Sequence, residues 1–179
     1  MLLLLVLVAL SSVVKADEWQ IDHDTSFVRF LINARGTPIH GEISEWTAEI
    51  RSDGPDFSMV QISATFDVTS IATTFPLADP ILQSALWLDT QGFPEATYIS
   101  TSFKIERART LGMLAGQLTL RGQTVRFAAR VNWMIENGRL IADIDGTLDR
   151  LLFGIGTEAS LEMADRMVRI SAQITADRH

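Results

Sequence analysis

Alternating apolar and polar side chains along residues 114–133 predict a β-hairpin. The first run carries Leu114, Leu118 and Leu120 on one side. The second run has apolar residues at every other position, namely Val125, Phe127, Ala129, Val131 and Trp133. A repeat of two is typical of a strand with one face on an apolar interior and one in water. Gly122 separates the two runs, and a tight reversal there requires a positive φ, which glycine adopts readily.

The same alternation recurs along most of the chain. It predicts further strands at residues 19–23, 27–33, 39–51, 59–70, 97–106, 140–148 and 167–175. Within 97–106, the side chains of Ile99, Phe103 and Ile105 are expected to share one face. Eight or nine strands joined mostly by short turns indicate an antiparallel meander, and closure into a barrel removes the exposed edges. We therefore predict an all-β fold, an extended antiparallel β-barrel of about eight strands with one short inserted helix.

One segment departs from the alternation and predicts that helix. Asp79 followed by Pro80 is typical of an N-cap and a first helical position. Four apolar residues then follow at helical spacing, Ile81, Leu82, Ala85 and Leu86. The expected helix runs from Asp79 to Leu88 and covers part of the sheet or one mouth of the barrel. It serves either as ordinary packing or as a lid over a cavity.

The N-terminal residues predict export. Residues 2–14 are apolar except for Ser11 and Ser12, and a plausible cleavage point follows Ala16. We expect a signal peptide over residues 1–16 and a mature barrel domain over 17–179. An uncleaved anchor is the alternative, but a spanning helix needs about 20 apolar residues and this run is shorter.

Composition narrows the function classes. The chain has no cysteine, which excludes disulfides, thiolate catalysis and cysteine metal ligands. Its formal net charge of −7 lacks the basic footprint of a nucleic-acid-binding protein. An outer-membrane barrel would show strands of about 10 residues with aromatic girdles at both ends. The four tryptophans are scattered instead, so an exported barrel outside the membrane is favoured.

Candidate catalytic residues are few. The three histidines, His23, His40 and His179, do not stand at metal-ligand spacing. No nucleophile elbow, phosphate-binding loop or dinucleotide motif is present. Asp143 and Asp145 lie two apart on one predicted strand face. They form either a general acid/base pair or, as we prefer, part of a solvated outer face.

Asp149 and Arg150 lie where a predicted strand ends and a glycine-containing bend begins. They form either an ion pair or backbone brace at the barrel rim, or a site where the arginine meets an anionic or amide head group.

Several segments match one known family in order and spacing. Near the start the matching residues are Trp19, Asp22, Ser26, Val28 and Phe30. The most specific stretch is Trp87-Leu88-Asp89-Thr90 with Phe93-Pro94-Glu95-Ala96-Thr97-Tyr98. A late bend, Asp149-Arg150 with Phe153-Gly154-Ile155, completes the set. Over nearly the whole mature chain, this pattern resembles the YceI-like family of exported bacterial proteins.

The resemblance implies a lipocalin-like barrel in the periplasm that holds a long apolar molecule of polyisoprenoid or fatty-acyl type. It implies a binding or carrier protein, with no cofactor, and not an enzyme. The residues expected to contact the ligand are Val28, Phe30, Val60, Ile62, Phe66, Phe103, Leu118, Phe127, Ile144 and Arg150. The alternation defines the apolar face but leaves open which side lines the cavity.

Two other functions stay open at this stage. One is an interaction or stress-response protein whose barrel is filled by its own side chains. The other is an enzyme on an isoprenoid-like substrate, using Asp149, Arg150 or His23. A transient membrane contact and a homodimer are compatible with the carrier interpretation.

Overall fold

The computed structural model describes residues 17–53, 59–106 and 110–178, which form mainly β-strands. The strands are β1 (Asp17–Ile21), β2 (Phe27–Ala34), β3 (Thr37–Ile43), β4 (Trp46–Ser52), β5 (Val60–Asp67), β6 (Ile71–Thr73), β7 (Glu95–Ile105), β8 (Leu111–Leu120), β9 (Gln123–Glu136), β10 (Arg139–Asp149) and β11 (Met167–Arg178). The helix is α1 (Asp79–Gln83). The proposed signal peptide lies outside the described residues, so its cleavage point stays a prediction.

The strands close into a ring of eight, which confirms the predicted antiparallel barrel. In the ring, β1 pairs with β4 on one side and with β11 on the other. Strands β5, β7, β8, β9 and β10 complete the circle through antiparallel pairings. Strands β2, β3 and β6 extend β1, β4 and β5 toward the helix end, because β2 also pairs with β11 and β3 joins β2 to β6.

The run at 39–51, predicted as one strand, is two strands with a bend between them. At the bend, the Glu45 amide donates to the Ser70 hydroxyl over 3.0 Å, and the Ser44 hydroxyl donates to the Ser70 carbonyl over 3.4 Å. The run at 59–70 breaks at the same level, in a short 3₁₀ turn at Val68–Ser70. Serine side chains therefore replace ladder hydrogen bonds where two neighbouring strands bend together.

The hairpin of β8 and β9 is as predicted. Its two turn residues, Arg121 and Gly122, have φ values of 50° and 69°, which is typical of a primed two-residue turn. The expected apolar face points inward, since Leu114, Ala129 and Val131 are all buried.

The predicted helix is shorter than expected and is anchored differently. It ends at Gln83, because Ser84 is extended and its hydroxyl donates to the Ile81 carbonyl over 2.7 Å. That bond competes with helix continuation. Asp79 was predicted to cap the helix, but its carboxylate instead accepts from the amide and hydroxyl of Thr73, at 3.0 and 2.6 Å. Asp79 thus ties α1 to the end of β6.

The interior consists of two apolar clusters stacked along the barrel axis. The cluster at the β1 end includes Trp19, Trp46, Trp133, Leu140 and Ala176. The cluster at the helix end includes Ile32, Val68, Trp87, Phe153 and Ile155. In the described part of the chain, no helix is long and apolar enough to span a membrane.

Candidate functional site: an apolar cavity inside the barrel

A cavity of about 240 Å³ lies inside the barrel and is bordered by residues of both clusters. Its accessible wall is apolar. Ile62, Phe66 and Leu118 belong to the inward-facing set, yet each is only half-buried. Since these side chains point away from the outer solvent, their remaining exposed surface faces the cavity. The barrel is therefore hollow in the middle rather than filled by its own side chains.

Most of the residues predicted to contact a ligand border this cavity. They are Val28, Phe30, Ile62, Phe66, Leu118, Phe127, Ile144 and Arg150. The inward face of the strands is thus the cavity face, which the alternation alone left open. Contact of these residues with a ligand remains a prediction.

Val60 and Phe103 also point inward but lie beyond the cavity wall. Both pack against the cluster at the β1 end. The Phe103 ring meets Trp133 edge-on, with ring centroids 5.0 Å apart and planes at 64°. These two residues therefore belong to the packed core at the β1 end of the barrel and not to the cavity wall.

A bulge in β7 changes the face assignment in that strand. The pairing with β8 shifts between Ser100 and Ser102, so that the inward set changes from even to odd positions. Tyr98 consequently points inward, and Ile99, predicted to share a face with Phe103, is 56% exposed. An extra residue in one strand has this effect on every side chain beyond it.

Several cavity residues come from segments that are not strands. Leu82 of α1 borders the cavity, together with Trp87, Leu88 and Ile155. Arg121 links the covering segments, because its guanidinium donates to the carbonyls of Ala85 and Gly154 over 2.7 and 2.6 Å. A repeat of two along the sequence could not have identified these residues.

Arg150 is almost fully buried and its guanidinium is held by the protein. Nε donates to the Asp165 carbonyl over 2.8 Å, and Nη2 donates to the Ala164 carbonyl over 2.8 Å. Nη1 donates to the Ile155 carbonyl and the Ser160 hydroxyl over 2.7 and 2.9 Å. Four of the five N–H groups of the side chain are thus used. Burial lowers the pKa of Arg150 from its usual value, and nearby carboxylates oppose that shift.

This arrangement matches the brace interpretation of the Asp149–Arg150 pair. Arg150 borders the cavity without presenting a polar atom to it, because the accessible wall is apolar. The Asp149 carboxylate is occupied by the protein as well: it pairs with Arg166 at 2.8 Å and accepts a hydrogen bond from the Leu151 amide. A head-group contact by Arg150 stays a prediction that this geometry does not favour.

A family model described as the YceI-like domain matches residues 19–176. The chain belongs to the YceI-like family. Protein YceI of Salmonella arizonae is 31% identical over 112 residues, which are 61% of this YceI-like chain and 58% of the Salmonella protein. The aligned stretch therefore spans less than two thirds of that relative's length.

Solved structures share the fold of this YceI-like barrel. The crystal structure of Burkholderia cenocepacia BcnA superimposes with a TM-score of 0.81 at 19% identity, covering 88% of this chain and 99% of BcnA. A polyisoprenoid binding domain from Saccharophagus degradans gives a TM-score of 0.68 at 12% identity, covering 92% of this chain and 100% of that domain. At such identities the likeness establishes the fold alone.

Tyr98 is the one tyrosine of this YceI-like chain and borders the cavity. Only 7% of it is exposed, and its ring meets Phe127 edge-on with centroids 6.1 Å apart. Among the described residues, no group lies within hydrogen-bonding distance of its hydroxyl. Burial raises the pKa of Tyr98 to about 12.

We expect Tyr98 to make stability fall at high pH. The unfolded phenol ionises near pH 10, whereas the folded phenol keeps its proton to about pH 12. Its contribution is complete below pH 10 and is lost between pH 10 and 12, by a few kcal/mol at most. Absorbance titration of the phenolate and urea melts across that range measure both effects. Tyr98→Phe, the matched control, should lack this loss, and a phenol that titrates near pH 10 would contradict the prediction.

The other candidate groups of this YceI-like chain lie outside the cavity. Asp143 and Asp145 are exposed on the outer face of β10, and Asp145 pairs with Arg169 at 2.8 Å. His23 is exposed beside Trp46, and His40 is exposed on β3. In the ranges that the structure describes, no three potential metal ligands cluster. His179 lies outside those ranges.

Proposed function

We propose that this YceI-like barrel binds a long apolar molecule of polyisoprenoid or fatty-acyl type and carries it in the periplasm. The observation behind the proposal is the cavity of about 240 Å³ with an apolar accessible wall inside a closed barrel. Barrels of about eight strands have room for one small ligand. The apolar N-terminal run supports export to the compartment in which such a carrier would act.

The energetics of the cavity favour an apolar occupant. A cavity of this kind lined by apolar side chains stays dry and accepts apolar guests. Leaving 240 Å³ empty costs several kcal/mol at about 24 cal/mol per Å³ of cavity volume. A guest would recover this loss, and each Å² of apolar surface that it buries adds about 25 cal/mol. Binding would therefore require no charged contact.

The Saccharophagus degradans domain supports the ligand class, because a domain of the same fold there is a polyisoprenoid binding domain. We extend that class to this chain on the strength of its own cavity. The fatty-acyl type is included because an apolar wall recognises a chain by its shape and not by its head group.

We further infer a transient membrane contact at the helix end of the barrel. Exposed apolar side chains occur there in the segments that carry the cavity residues Leu82, Trp87 and Arg150. They are Phe75, Leu77, Ile81, Leu86 and Leu152. Apolar side chains exposed together beside a cavity are typical of an interaction site, and a lipid-like ligand must leave a bilayer to enter the barrel. A homodimer stays a prediction, which sedimentation equilibrium checks.

The test combines native mass spectrometry with uptake from vesicles. Protein purified without detergent should carry one lipid-like molecule, or should take up a polyprenol or a fatty-acyl probe from phosphatidylcholine vesicles. Absence of both would contradict the proposal and favour the interaction-protein alternative. A bound probe that comes back chemically changed after long incubation would instead favour the enzyme alternative.

A further inference from the structure

Four inward-facing glycines of the barrel wall are covered by aromatic rings. The pairs are Gly41 with Phe30, Gly112 with Phe103, Gly116 with Tyr98 and Gly146 with Phe127. In each pair, a Cβ atom added to the glycine would run into the ring. The rings can lie close to the wall only because the glycines have no side chain.

Three of these rings border the cavity, and two of them, Phe30 and Phe127, keep exposed surface, whereas Tyr98 is buried. Phe30 is the cross-strand partner of Gly41, and Phe127 lies diagonally across from Gly146, which pairs with Ala129. Both rings border the cavity and both are half-buried. Each ring therefore lies between glycine backbone and the cavity.

A ring displaced from its glycine has the strand wall behind it and the cavity in front of it. The Phe127 ring lies against the strand wall at Gly146, and the Tyr98 ring lies beside it at nearly a right angle. Phe30 likewise has the β3 wall behind it at Gly41. Both rings border the cavity, which is space that is not packed, so an added Cβ is expected to push either ring toward it.

We propose that Gly41 and Gly146 determine specificity by setting the width that a bound chain can have. This inference rests on the proposed function. Methyl branches widen a chain at intervals, whereas a straight acyl chain is uniformly narrow. Narrowing the cavity at Phe30 or Phe127 therefore penalises a methyl-branched chain more than a straight chain of the same length.

The test compares Gly41→Ala and Gly146→Ala with the wild type, using phytanic acid and hexadecanoic acid as probes. The two acids share a main-chain length and differ in methyl branches. We expect each variant to lose about tenfold in affinity for phytanic acid, within the range of overpacking penalties, and less than about threefold for hexadecanoic acid. Isothermal calorimetry or displacement of a fluorescent fatty acid measures both.

Gly112→Ala is the matched control. It sits under Phe103, whose ring packs on Trp133 and does not border the cavity. Adding a Cβ there should leave the ratio of the two affinities unchanged. Adding Phe127→Leu to Gly146→Ala should restore phytanic acid binding, because the smaller side chain leaves room for the new methyl group.

Phe127→Leu alone should raise the affinity for phytanic acid relative to hexadecanoic acid, and this variant adds no atom to the wall. Phe127→Leu therefore tests the inference even if the alanine variants fail to fold. Equal losses for both probes, no loss for either, or a double variant without restoration would overturn the inference while leaving the proposed function intact. A wild type that binds a polyprenol but neither acid would overturn this inference alone, and one that binds none of the three would overturn the proposed function as well.

Discussion

Arg150→Met is expected to lower the free energy of unfolding by about 3 kcal/mol. The substitution removes four hydrogen bonds from a buried guanidinium, and bonds to charged groups contribute about 1.5–3 kcal/mol each. Relief of the buried charge offsets part of that loss. Three of the acceptors are backbone carbonyls, of Ile155, Ala164 and Asp165, and would remain without this donor. Urea denaturation monitored by tryptophan fluorescence measures the change.

Arg166→Met is the matched control. Its guanidinium pairs with Asp149 at 2.8 Å, but half of the side chain is exposed. Exposed ion pairs contribute at most about 1 kcal/mol, so this variant should remain close to the wild type. Hydrogen exchange should also increase at residues 157–164 in the Arg150 variant and not in the control. Equal losses of stability in the Arg150 and Arg166 variants would show that Arg150 does not brace the segment that follows β10.

Ala129→Trp is expected to abolish ligand binding while preserving the fold. Ala129 is 2% exposed and borders the cavity, so an indole there would occupy the space of the guest. We expect the affinity for a polyprenol or fatty-acyl probe to fall at least about a hundredfold, equivalent to about 2.8 kcal/mol. Because Ala129 is tightly packed, the indole also overpacks its neighbours, and we expect a loss of stability of about 1–3 kcal/mol with the fold retained.

Ala128→Trp supplies the control on the same strand. Ala128 is the neighbour of Ala129 and is exposed on the outer face of β9. An indole at that position has the same size but projects into water rather than into the cavity. Probe binding should therefore match the wild type. Full binding by the Ala129 variant would mean that the ligand site lies elsewhere.

The barrel was predictable because its strands follow a local rule that the sequence shows. In β8 and β9 every inward position except Gln123, next to the turn, is apolar or glycine, and the turn carries the residue that a primed turn needs. Closure also followed from physics, since an open meander would leave two unpaired edges. Repetition of one simple pattern therefore predicted the strands and the closure, but not the pairings between strands far apart in sequence, such as β1 with β4.

The remaining features depend on interactions that a local pattern does not contain. The bulge at Ser100 and Ser102 reverses the faces of β7, which moved Tyr98 inward and Ile99 outward. The hydroxyl of Ser84 ended the helix early. Whether the barrel is hollow or filled depends on side-chain volumes summed over all strands. Arg150 could be recognised as a brace only after the turn containing Ser160 was seen to fold around it.

The position of β11 has a consequence for how the molecule acquires its shape. Strand β11 closes the barrel, because it pairs with β10 on one side and with β1 and β2 on the other. During synthesis the strand that closes the ring therefore emerges after all the other strands of the barrel. Until this strand pairs, the apolar inner face of the sheet is exposed to water and two strand edges are unpaired. Such a state is prone to aggregation. A barrel of this topology therefore encloses its apolar interior and pairs its exposed edges in the same step.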